Sequence, residues 1–117
     1  MNTRLIGFVL RASVKHETIL FYETLGLGAR EHQHGGPLHV ELTPVSEDFV
    51  VEMYQASRAF VKDALMIAVD SLSDTLLRLY EIHNIRPTTE RVDTKDMSFL
   101  YVQDPDGRAV MLVEYVK

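Results

Sequence analysis

Leu20-Phe21-Tyr22-Glu23-Thr24-Leu25-Gly26-Leu27-Gly28 reads as the end of a helix. Apolar and aromatic side chains recur at helical spacing back to Val14, and Gly26 and Gly28 supply the backbone freedom that stops it. Upstream, residues 5–10 are nearly all apolar, which suits a strand covered on both faces, with Arg11 and Ser13 at its polar exit. Downstream, three strands are expected near residues 29–34, 38–43 and 49–54, divided by Gly35-Gly36-Pro37 and by the polar segment 44–48. The order is β-α-β-β-β.

The pattern then restarts. Residues 64–69 read as a strand and 71–83 as a helix that Ser71 or Ser73 caps. Extended segments are expected near 86–92, 98–103 and 109–116, with Asp104-Pro105-Asp106-Gly107 as the turn joining the last two. Gly7-Phe8-Val9-Leu10 lies over Ala64-Leu65-Met66-Ile67, and after a one-residue shift Phe21-Tyr22-Glu23 lies over Leu79-Tyr80-Glu81. An offset close to half the chain implies an internal duplication. The expected class is α+β: one domain over residues 1–117, with module one about 1–58 and module two about 59–117.

Composition narrows the function classes. A hydrophobic content of 46% with 25% charge is that of a soluble globular domain able to bury a core. The chain has no cysteine, which removes disulfides and thiolate chemistry and fits a reducing, cytoplasmic setting. Twelve basic residues against 17 acidic ones give a net charge of −5, and the basic ones are scattered, which argues against nucleic acid as a partner. The apolar run before Arg11 is too short for a signal peptide or a membrane span.

Two segments carry a family resemblance. The helix end Phe21-Tyr22-Glu23-Thr24-Leu25-Gly26 is similar to the F-Y-x-x-x-L-G helix end of the vicinal-oxygen-chelate (glyoxalase/bleomycin resistance/dioxygenase) superfamily. Asp104-Pro105-Asp106-Gly107 is similar to its D-P-D-G turn before the last strand. The resemblance implies two βαβββ modules in tandem forming curled mixed sheets around a ligand cavity. It also implies a homodimer whose modules pair within one chain or across two. Metal-dependent members bind one divalent cation through the first and fourth strands of both modules, positions that fall here at Gly7, Glu52, Ala64 and Met111. Only Glu52 offers a hard donor, whereas a catalytic zinc needs three protein donors and a non-haem iron two histidines and a carboxylate. The resemblance therefore implies a lost metal site: no metal, no cofactor.

Strand alternation names the inward positions. Gly7, Val9 and Arg11 should point into the cavity while Ile6, Phe8 and Leu10 pack on the helix, and small residues at Gly7 and Ala64 leave room in the middle. Glu52, Tyr54, Met66, Phe99, Tyr101 and Met111 complete the wall, with Arg11 and Glu52 as its orienting charges, which suits a small organic ligand. Glu52 reads as a catalytic base in an apolar pocket, as a carboxylate paired with Arg11, or as one solvated at the cavity mouth. His32, His34 and His39, with Glu31 and Glu41 nearby, gather around the Gly35-Gly36 hairpin. That cluster reads as a solvated hairpin able to bind a metal adventitiously. The leading reading is a metal-independent small-molecule-binding protein, acting in ligand or drug sequestration. The alternative is a glyoxalase-like lyase, isomerase or dioxygenase-type enzyme with Glu52 as base or sole remaining metal ligand.

Overall fold

The computed structural model describes residues 3–33, 38–58 and 60–117. The fold is α+β, and its elements run β1 Arg4–Ala12, α1 Lys15–Thr24, β2 Gly28–His32, β3 His39–Thr43, β4 Val50–Gln55, β5 Ala64–Ala68, α2 Leu72–His83, β6 Val92–Asp93, β7 Met97–Gln103 and β8 Ala109–Tyr115. The βαβββ order thus occurs twice. The chain divides into two compact units, Gly7–Asp63 and Ala64–Lys117, the start of β1 up to Ile6 grouping with the latter.

In the Gly7–Asp63 unit the strand order is β2-β3-β4-β1. β1 and β4 are parallel, and β2–β3 and β3–β4 are antiparallel. One face packs on α1: Ala12, Val40, Leu42 and Met53 are buried there, with Leu10, Val51, Ile19 and Tyr22 against them. Ile19 and Tyr22 are three residues apart, one helical face, whereas Phe21 and Leu25 point outward at 58% and 66% exposure. Gly26, at φ +107°, takes the left-handed backbone that ends this helix. Of the three β1 residues expected to pack on the helix, Leu10 does so. Phe8 does not join that core: it is 37% exposed and meets Phe49 edge to face, with ring centroids 5.6 Å apart.

The other unit repeats this topology in the order β6-β7-β8-β5, with β5 and β8 parallel and the remaining pairs antiparallel. Val69, Leu72, Leu100, Val102, Val110 and Leu112 form its core, with Ile67, Leu76, Leu79 and Ile85 against it. Ser71 caps α2 by accepting from the Asp74 amide at 3.1 Å, and Asn84 closes it at φ 55°. The extended segment expected over 86–92 is a ladder only at Val92–Asp93. Before it the chain is tied to β7 by separate bonds: Thr88 donates to the Tyr101 carbonyl at 2.8 Å and Thr89 Oγ1 accepts from the Tyr101 amide at 3.0 Å. Pro87 has no amide to offer such a ladder.

Candidate functional site

The face of the Gly7–Asp63 sheet turned away from α1 collects the polar and aromatic side chains. Strand register explains why: Val9 pairs with Glu52 and Arg11 with Tyr54, Glu41 lies opposite Glu52, Arg30 opposite Glu41 and His32 opposite His39. With a side-chain period of two, Arg11, Glu52, Tyr54, His39, Glu41 and His32 share one face.

Their geometry forms a continuous path. The Arg11 guanidinium carbon lies 4.7 Å from the Tyr54 ring centroid and 4.8 Å from that of Phe60, so both aromatic rings contact the cation. Its backbone amide donates to Asp63 Oδ1 at 2.8 Å. Tyr54 stacks on His39 with centroids 4.7 Å apart and planes 27° from parallel. His39 Nε2 is 3.1 Å from Glu52 Oε2 and 3.7 Å from Glu41 Oε2, and His32 Nδ1 is 3.8 Å from the same Glu41 oxygen. Arg30 reaches the other Glu41 oxygen at 3.4 Å.

Three expectations change here. The histidine cluster is not a solvated hairpin: His39 is 1% exposed, because the ring of Tyr54 covers it and Glu52 lies at its edge. His34 lies outside the described residues. Glu52 is not solvated at a cavity mouth: it is buried, its carboxylate lies 3.1 Å from His39 Nε2, and the Arg11 guanidinium on the same face contacts the rings of Tyr54 and Phe60. Gly7 does not leave room: a Cβ there would run into the Val50 carbonyl oxygen and stand 2.9 Å from Val50 Cγ1. Phe60 was not foreseen, since it lies in an irregular segment after β4 where no periodicity marks a face.

The positions at which metal-dependent members hold their cation do not fit one here. Gly7 has no side chain and no space for one, Ala64 has no donor, Met111 offers only a soft thioether, and Glu52 is the one hard donor among the four. In the Ala64–Lys117 unit, Met66 pairs with Met111, and Tyr101 pairs with Met111 on its other side. Met66, Tyr101 and Met111 are all buried, and Phe99 is half-buried. A separate cleft of about 420 Å³ lies on the opposite, helix side of this unit, where Leu79 and Ile85 face Ile67, Val69, Val102 and Leu112.

No family sequence model matches the chain, and no curated protein matches it. Solved structures do. A glyoxalase/bleomycin resistance protein/dioxygenase superfamily member from Vibrio splendidus 12B01 superposes with a TM-score of 0.66 at 16% identity, over 98% of this chain and 100% of that one. A protein from Bacillus halodurans C-125 described as hypothetical gives 0.71 at 12% identity, over 100% and 97%. A methylmalonyl-CoA epimerase variant from Streptomyces coelicolor, solved with 2-nitronate-propionyl-CoA, gives 0.63 at 14% identity, over 97% and 98%. Among the described residues no helix is long and apolar enough to cross a membrane. Repeated βαβββ units and end-to-end superposition lead to one conclusion: the chain has the vicinal-oxygen-chelate fold of the glyoxalase/bleomycin resistance/dioxygenase superfamily.

Proposed function

We propose that this chain is a small-molecule-binding protein that takes an anionic, partly planar organic ligand on the Arg11–Tyr54–Glu52 face, without a metal at Gly7, Ala64 and Met111. The observation that carries the reading is the Arg11 guanidinium in contact with the rings of Tyr54 and Phe60. Two rings in contact with a guanidinium restrict its motion, and its fork of N–H donors is matched to a carboxylate or phosphate. A cation oriented before binding gives up less side-chain entropy when the anion arrives. The Streptomyces coelicolor structure holds an acyl-CoA analogue on the same fold, which makes CoA thioesters and aromatic carboxylates the first classes to try. In this reading the protein is cytoplasmic and homodimeric.

Thermal shift and calorimetry with a panel of aromatic carboxylates and CoA thioesters test it. The expected result is one-to-one binding without turnover, lost in Arg11→Ala and weakened about tenfold or more in Tyr54→Ala, the scale of a desolvated cation–aromatic pair with its stacked neighbour. A ligand bound equally well by both variants would remove this face from the site. The enzymatic alternative rests on Glu52, buried beside His39 and therefore placed to exchange a proton with it. Turnover of a bound panel member by the native protein, abolished in a folded Glu52→Gln variant, would favour it.

A further inference from the structure

From the same face we infer a divalent-cation site of the zinc class formed by His32, His39, Glu41 and Glu52, of which only Glu52 falls at a position where metal-dependent members hold theirs. It goes beyond the organic-ligand reading and does not depend on it. One donor atom from each of His32, His39 and Glu41 lies within 4.8 Å of the other two, and Glu52 Oε2 adds a fourth 3.1 Å from His39 Nε2. Zinc bonds to nitrogen and oxygen are about 2.0–2.2 Å long, so tetrahedral ligands stand roughly 3.3–3.6 Å apart. The separations of 3.1, 3.7 and 3.8 Å bracket that value, and the two longer ones exceed hydrogen-bond length.

Charge points the same way. Glu41 and Glu52 are directly opposite each other on antiparallel strands, with side chains only 15% and 11% exposed. Like charges in that register repel, and burial deepens the cost. The His39 ring is near both, its Nε2 being 3.1 Å from Glu52 and 3.7 Å from Glu41. A doubly charged cation would interact with both carboxylates at once, and imidazole nitrogens are ordinary ligands of zinc.

Two of the four donors have the supports of a built site. Tyr54 stacked on His39 fixes the plane of that ring. Arg30 on Glu41 Oε1 leaves Oε2 as the oxygen nearest both histidines. Partners that orient the donors in this way govern affinity nearly as much as the donors themselves. The donor set of two nitrogens and two oxygens suits zinc, with cobalt(II) as a spectroscopic substitute, rather than calcium or magnesium.

The experiment is a cobalt(II) titration of tag-free, chelator-stripped protein followed by visible absorption, with zinc competition by calorimetry. One equivalent is expected, with the intense bands of a low-coordinate site, displaced by zinc. His32→Ala and Glu41→Gln, whose side chains are partly exposed and leave the α1 core untouched, should each weaken uptake by roughly tenfold or more while circular dichroism stays native. Arg11→Ala, which disables the proposed anion clamp, should leave cobalt uptake unchanged, so that failure of the ligand reading and failure of this one are separable. Uptake below about a tenth of an equivalent, or affinity unmoved by both His32→Ala and Glu41→Gln, would overturn the site.

Discussion

At Gly7 the constraint is steric and local. The residue pairs with Val50 across the parallel β1–β4 ladder, and the direction its side chain would take is filled by the Val50 backbone carbonyl. Backbone cannot swing aside as the tip of a flexible side chain can, so Gly7→Ala has to spread the two strands. The expected cost is that of overpacking a tight contact, about 1–3 kcal/mol, read as a lower urea midpoint with an unchanged slope. An unchanged midpoint would mean that β1 and β4 are farther apart than the geometry states. The same residue shows what alternation can and cannot reveal. Period two correctly predicts that Arg11, Glu52 and Tyr54 share a face, because it follows from backbone geometry alone. It is silent on whether a small residue opens space or is small because a neighbouring strand already occupies it. Nor does it distinguish a solvated histidine from one beneath an aromatic ring, as His39 lies beneath Tyr54.

At the level of elements, turns and caps were more legible than the ladder joining β6 to β7. Asp104-Pro105-Asp106-Gly107 is readable because each residue type has one physical use: the Asp104 carboxylate accepts from the amides of Asp106 at 2.9 Å and Arg108 at 2.8 Å, and Gly107 takes φ +85°. Residues 86–92 were not readable as mostly irregular, since Thr88 and Thr89 replace a ladder by bonds whose partner, Tyr101, is remote in sequence. The turn gives a pH prediction with a definite sign. Backbone donation from Arg108 is the largest influence, and with the Arg108 side chain and the Asp106 amide it outweighs desolvation and holds the Asp104 carboxyl below its ordinary range. A depressed carboxyl contributes stability above its unfolded value, about 3.9, and loses it as pH falls through the lower folded value. Asp104→Asn should therefore flatten the acid limb of the melting-temperature profile below about pH 4, while lowering stability near neutrality. A variant whose acid limb matches the native one would show that the turn takes no part in acid unfolding.

On the scale of the whole molecule, each unit has its own apolar core on the helix side of its sheet, and the duplicated element order that reveals this is written in the sequence. The polar face is less evenly shared. The Gly7–Asp63 unit places His32, His39, Glu41 and Glu52 on its face opposite α1, whereas the equivalent face of its repeat carries Met66, Tyr101 and Met111. The two units share one element order and differ in the chemistry of these faces. A ligand that binds only the folded state adds RT ln(1 + [L]/Kd), about 2.7 kcal/mol at a hundredfold excess over Kd. For a domain of this size that corresponds to a rise of roughly 10 °C in melting temperature. Zinc should produce this rise in the native protein, excess chelator should reverse it, and His32→Ala should reduce it, because that variant removes a donor without touching either core. Magnesium should have little effect, since two imidazoles suit it poorly. Equal stabilisation by magnesium and zinc would instead identify the effect as general screening of a chain carrying a net charge of −5, and His32→Ala would then melt and respond as the native protein does.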